Sequence, residues 1–261
     1  MLVACEVPLS TAKTPVEVTP TTLSVTSAVN AVERLRPEVV ATYPHDPSAF
    51  TQGLLITDNV LLESTGEYGQ SSLRRVDRDT GDVVQRVDVS PDLFAEGLAQ
   101  VNDRLIQLTW QAGVAIAYDA ETFAVLERFS YENEGWGLCF DGERLIMSDG
   151  SSQLFFRNPT TFAELGRVDV TLDGSPVENL NELECVNGSV YANVWQTDQI
   201  VVIDPATGRV SADIDASGLI DRRALPNADV LNGIAHDQAS GRFYITGKLW
   251  PSLFEVRWLA R

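Results

Sequence analysis

The chain has 261 residues, 44% of them apolar, enough to bury one large core or two small ones. Its 37 acidic and 19 basic side chains give a formal net charge of -18, which disfavours nucleic acid and anionic membrane surfaces as partners. No apolar stretch reaches the 18 or more residues that a helix needs to cross a bilayer.

At the N-terminus, "LVAC" at residues 2 to 5 resembles the cleavage box of bacterial lipoproteins and makes Cys5 a candidate for lipidation. A four-residue match also arises by accident, and the charged and apolar regions of a signal peptide would have to precede this sequence. The Thr-, Pro-, Ser- and Val-rich stretch that follows reads as an exported linker, so residues 1–35 are expected to be a leader and 36–261 one domain. An exported, monomeric protein is the expectation.

The only histidines are His45, in the turn-like "YPHDP", and His236, in "IAHDQ", and both are expected to be structural. With cysteine limited to Cys5, Cys139 and Cys185 and no CxxC pair, a zinc site of the usual ligands is hard to assemble.

From residue 36 onward the chain repeats. "QGLL" at 52, "EGLA" at 96, "WGLC" at 136, "ELEC" at 182 and "NGIA" at 232 each open a short apolar run. Each is followed by a turn and further runs, as in "NVLLESTG", "SLRRVD" and "DVVQRVDV" of the first unit. Alternating apolar and β-branched residues between "DTGD", "NDR" and "DGE" turns predict strands rather than helices. Four strands per unit and five units predict an all-β, five-bladed β-propeller. The last unit stops after "SLFEVRW" and "PEVVATYP" at 37 to 44 has no unit of its own, so this N-terminal strand is expected to close the last blade.

Antiparallel pairing puts the start of each first strand and the end of each second at one mouth. Two rings of side chains should meet there, namely Gln52, Glu96, Trp136, Glu182 and Asn232, and Thr65, Trp110, Asp149, Trp195 and Lys248. Unlike residues at equivalent slots of a repeat point to a specialised site, although a Trp at a strand end also serves as a packing plug. A carboxylate such as Glu96 beside indoles would be desolvated and its pKa raised, which suits a proton shuttle. Asn181 lies one residue before the ring and could equally cap a turn. Cys139 and Cys185 hold matching positions in adjacent units; they could bridge, but buried free thiols are the expectation.

"FTQGL", "FAEGLA", "EGWGLC", "LNELEC", "NVWQTDQI", "VLNGIA" and "TGKLWP", in that order over residues 40 to 257, resemble the plant and bacterial type of glutaminyl-peptide cyclotransferase, also called glutamine cyclotransferase or glutaminyl cyclase. The resemblance implies a five-bladed propeller that converts N-terminal glutamine of peptides or proteins to pyroglutamate and releases ammonia, with no cofactor and no catalytic metal. It implies Glu96 as the acid/base, Asn181 and Lys248 as groups that polarise the substrate amide, and Phe50, Gln52, Trp110, Trp136 and Trp195 as pocket walls. Two readings from other classes stand beside it: a non-catalytic binding platform, and a calcium-dependent propeller hydrolase with Glu96, Glu182 and Asp149 as ligands.

Overall fold

The computed structural model describes residues 1–4, 31–57 and 59–261; Cys5 and the linker through residue 30 lie outside the described residues. Residues Ala31–Arg261 form one unit, without a helix among the described residues. None is therefore long and apolar enough to cross a membrane.

The strands, in chain order, are β1 (Glu33–Pro44), β2 (Thr51–Thr57), β3 (Val60–Thr65), β4 (Ser72–Asp77), β5 (Val83–Asp88), β6 (Ala95–Val101), β7 (Arg104–Thr109), β8 (Val114–Asp119) and β9 (Val125–Ser130). They continue with β10 (Leu138–Phe140), β11 (Leu145–Met147), β12 (Gln153–Arg157), β13 (Glu164–Asp169), and the short pair β14 (Thr171–Leu172) and β15 (Ser175–Pro176). The last are β16 (Leu180–Val186), β17 (Ser189–Val194), β18 (Gln199–Asp204), β19 (Arg209–Asp215), β20 (Leu231–Asp237), β21 (Arg242–Gly247) and β22 (Ser252–Ala260).

Strands β2 to β5, β6 to β9 and β10 to β13 form three four-stranded antiparallel meanders. The remaining strands join one sheet in the order β16-β17-β18-β19-β1-β22-β21-β20, because β1 makes two kinds of contact. Along most of its length it pairs antiparallel with β22, from Leu35 opposite Ala260 to Pro44 opposite Ser252, while Glu33 to Leu35 pair parallel with β19.

Burial follows from how the sheets face each other. In β3 every residue after Val60 is buried, since neighbouring sheets cover both faces, whereas the outer strands β5 and β13 alternate between partly buried and exposed. The buried apolar side chains cluster between successive sheets, for example Leu62 and Leu73 with Leu98 and Leu105, and Ile106 and Ala115 with Leu138 and Phe155. A further cluster unites Leu54 and Leu61 of the first meander with Ala235, Tyr244 and Leu253 near the chain's end. The result is a propeller-like arrangement in which the first strands, β2, β6, β10, β16 and β20, touch one another in a closed cycle.

Cys139 in β10 and Cys185 in β16 form a disulfide, which corrects the expectation of free thiols. The first strands of adjacent sheets run close enough to hold the two Cα atoms 5.5 Å apart, within the span a disulfide needs.

Candidate active site

The backbone at the start of the first strands explains why the ring residues gather. In β2, β6, β16 and β20 the register with the second strand shifts at the same place, between Thr51/Gly53, Ala95/Leu98, Leu180/Leu183 and Leu231/Ile234. A bulge of this kind re-aims a side chain away from the pleat. It presents Gln52, Glu96, Asn181 and Asn232 at equivalent slots, with Trp136 just ahead of β10.

This register corrects the ring predicted from sequence by one residue in the fourth sheet. Asn181 occupies the slot, and Glu182 stands where the other repeats carry Gly53, Gly97, Gly137 and Gly233. Glycine is needed at those positions because the next inner strand presses close: a Cβ on Gly53 would lie 2.6 Å from the Leu98 nitrogen. Glu182 instead turns inward, 1% exposed, and its carboxylate accepts hydrogen bonds from the Leu54 nitrogen (3.3 Å) and the Ile234 nitrogen (2.8 Å). A one-residue slip thus moves a side chain from the pocket to the molecular axis. The second ring shifts likewise in the first sheet, where Gly66, bonded to the Phe50 carbonyl, stands in the place that Trp110, Trp195 and Lys248 hold elsewhere.

At this mouth lies a cavity of about 390 Å³, lined among others by Phe50, Gln52, Glu96, Trp110, Trp136, Asn181, Trp195 and Lys248. Eight of the twelve residues expected at this mouth line the cavity; Thr65, Asp149, Glu182 and Asn232 do not. Asn232 supports it from behind, its amide donating to the Thr51 carbonyl and to Gln52 Oε1 (3.2 Å). Phe94, Glu67, Gln196, Asp229 and Val230 complete the lining. Phe94 and Val230 had a sequence signal, since "FAEG" and "VLNG" repeat the "FTQG" that marks Phe50; Glu67, Gln196 and Asp229 lie outside the strands.

Gln52 Nε2 donates to Glu96 Oε1 at 2.9 Å, the one side-chain hydrogen bond that the carboxylate receives among the described residues. Burial pushes the Glu96 pKa well above the ordinary carboxylate range; Lys248 pulls it down and the nearby charge of Glu134 adds to the rise. Lys248 is 4% exposed, and its ammonium sits 4.7 Å over the Phe50 ring. Burial lowers its pKa, while Glu96, Asp229 and Glu67 oppose the fall. The Asn181 side chain, 2% exposed, has an oxygen without a hydrogen-bond partner.

The turn that carries Lys248 is pinned from below. Leu249, in a left-handed conformation (φ 60°), donates its N–H to the Ala49 carbonyl, and the His45 N–H bonds to the Pro251 carbonyl. The buried His45 ring faces two acceptors, the Trp250 carbonyl at Nδ1 (2.7 Å) and Glu63 Oε1 at Nε2 (3.0 Å). Both nitrogens must then carry protons. Burial alone would lower its pKa, but Glu63 and the Trp250 carbonyl outweigh that and raise it. Arg74 closes the network on Glu63 and Asp46. His236 stands apart from the cavity, tilted against Phe243.

The sequence profile of the glutamine cyclotransferase family matches residues 11–258 of the chain. Glutaminyl-peptide cyclotransferase of Arabidopsis thaliana is 43% identical over 226 residues, covering 84% of this chain and 70% of the plant protein. The crystal structure of Myxococcus xanthus glutaminyl cyclase superposes with a TM-score of 0.82 at 42% identity, covering 88% of this chain and 99% of the bacterial one. On the profile and on this identity over most of its length, the chain belongs to the glutamine cyclotransferase family.

Proposed function

We propose that the chain is a five-bladed β-propeller that converts N-terminal glutamine of peptides or proteins to pyroglutamate and releases ammonia, with Glu96 as the proton shuttle. The carrying observation is one cavity, in a chain of this family, that holds a buried carboxylate, a buried ammonium, an amide and three indoles together. The blade count rests on the three meanders, on the two further four-stranded groups that β1 joins into one sheet, and on the closed cycle of first strands.

The substrate's own α-amine is the nucleophile. It titrates near pH ~8 and attacks the γ-carboxamide carbon only when neutral, so a base must take up the proton it loses as the new C–N bond forms. Glu96 is suited to that step, because burial raises its proton affinity toward that of the amine. The same proton then passes to the amide nitrogen, the old C–N bond breaks, and ammonia departs. The balance is one ring closed, one ammonia released, and Glu96 restored as carboxylate.

Negative charge develops on the former amide oxygen during attack. Lys248 donates to it whether charged or neutral, and the Asn181 amide is a second donor, each contributing on the order of 3 kcal/mol. Walls of Phe50, Phe94, Trp110, Trp136 and Trp195 exclude water and favour the folded conformer of the flexible glutamine side chain.

The calcium-dependent hydrolase finds less support. The Glu182 carboxylate is engaged by two backbone amides, Asp149 accepts from Ser151, and among the described residues no three His, Cys, Asp or Glu side chains are grouped to hold a metal ion. A binding platform is distinguished by turnover. Incubating the protein with a Gln-initiated peptide and a chelator should release ammonia and lower the peptide's mass by that of ammonia. No ammonia would overturn the cyclase reading, and loss of turnover on chelation alone would restore the metal-dependent one.

A further inference from the structure

The aromatic wall of the cavity is an arc of edge-to-face contacts with one gap. Phe50 meets Phe94 (centroids 6.0 Å apart), Phe94 meets Trp110 (5.7 Å), and on the far side Trp136 meets Trp195 (5.4 Å). Between Trp110, just after β7 of the second meander, and Trp136, at the start of the third, no ring contact closes the arc. A carboxylate fills that place. One oxygen of Glu134, Oε2, accepts the indole N–H of Trp110 at 2.6 Å and that of Trp136 at 2.9 Å, while Gln111 Nε2 donates to Oε1 at 3.0 Å.

The geometry points to Glu134 as a positioning residue, which does not line the pocket yet fixes the facing angle of Trp110 and Trp136 and so sets how tightly the glutamine side chain is gripped. This rests on the cyclase reading above. Three donors converge on the carboxylate, and such charge-assisted bonds to one acceptor are stronger and more directional than neutral ones. Burial alone would raise the Glu134 pKa, but these bonds hold it below the ordinary range, so the acceptor is ionised at neutral pH.

The backbone around Glu134 is held independently of its carboxylate. The Gly135 N–H bonds to the Trp110 carbonyl at 2.9 Å, and the Tyr131 hydroxyl bonds with the Thr109 backbone. A Cβ on Gly135 would collide with Tyr131, so the segment lies flush on the strand end. A substitution of the Glu134 side chain should therefore leave the fold intact.

Glu134 also acts at a distance. The charged or titratable groups that interact with Glu96 are Lys248, Glu134 and Tyr131. Removing the Glu134 charge removes one repulsion, and the Glu96 proton affinity falls.

The test is steady-state cyclisation of a neutral Gln-Ala peptide by wild type, Glu134→Gln, Trp110→Phe and the double variant across pH. Glu134→Gln, whose amide offers one acceptor oxygen to three donors, should raise KM about tenfold and change kcat less than threefold. Its kcat/KM relative to wild type should rise as pH falls, because the substrate amine titrates identically in both and cancels. In the Trp110→Phe background the KM effect should shrink, as expected of coupled partners. Inactive wild type would refute the cyclase reading itself. Active wild type with unchanged KM and a flat pH ratio in Glu134→Gln, or KM effects that simply multiply in the double variant, would overturn the positioning role.

Discussion

In the proposed mechanism the chemistry turns on Glu96, and its environment sets the expected pH response. A carboxylate whose pKa is raised by burial is a base only above that pKa, so kcat/KM should fall as pH drops through it and through the pKa of the substrate amine. Glu96→Gln should lower kcat by 10²- to 10⁴-fold with the far-ultraviolet dichroism unchanged, measured on the same Gln peptide. A variant of wild-type activity would remove Glu96 from the role of base. At this scale the sequence was informative wherever glycine follows the slot, as at Gln52, Glu96 and Asn232. It misled at Glu182, because a glutamate fills the glycine's place and the repeat offers no other marker there. Glu134 was invisible, since a carboxylate in "ENEG" reads as a solvated turn and its partner Trp110 lies 24 residues away.

Among the elements, the first strands matter most, and it is between them that a prediction from sequence was overturned. The sequence repeats aligned Cys139 with Cys185, one residue off the register in which Asn181 matches Trp136, and repeat alignment carries no information on the distance between neighbouring sheets. The disulfide closes a loop of 46 residues, for which chain entropy suggests a stabilisation of about 4 kcal/mol. Reducing it, or replacing both cysteines with alanine, should lower the urea midpoint while leaving KM near its wild-type value, because neither cysteine lines the cavity. A large KM change would mean that the cross-link shapes the site as well. Strand identity was legible from alternation and turn chemistry. The minor pair β14 and β15 was not, since two-residue strands have no period to detect.

For the whole molecule, the composition forecast an acidic surface but not where carboxylates would be buried. Glu184 is one such group: burial pushes its pKa up to about 8, although the His236 N–H bonds to it at 3.0 Å. A carboxyl whose folded pKa exceeds its unfolded one contributes stability that is complete below the unfolded pKa and is lost as pH rises to the folded one. The melting temperature should accordingly decline between about pH 4.5 and pH 8. Glu184→Gln, which can still accept the His236 N–H, should flatten part of that decline; calorimetry giving parallel curves for both proteins would show that the charge at this position does not govern it.

The inward turn of Glu182 links three first strands through one side chain, because it reaches from β16 to amides of β2 and β20. Those two amides are far apart in sequence yet bond to the two oxygens of one carboxyl group, so neither should become accessible to deuterium without the other. Their exchange should follow one common opening rate, and Glu182→Gln should speed both: the axis of the molecule would breathe as a unit, with the outer strands fraying separately around it.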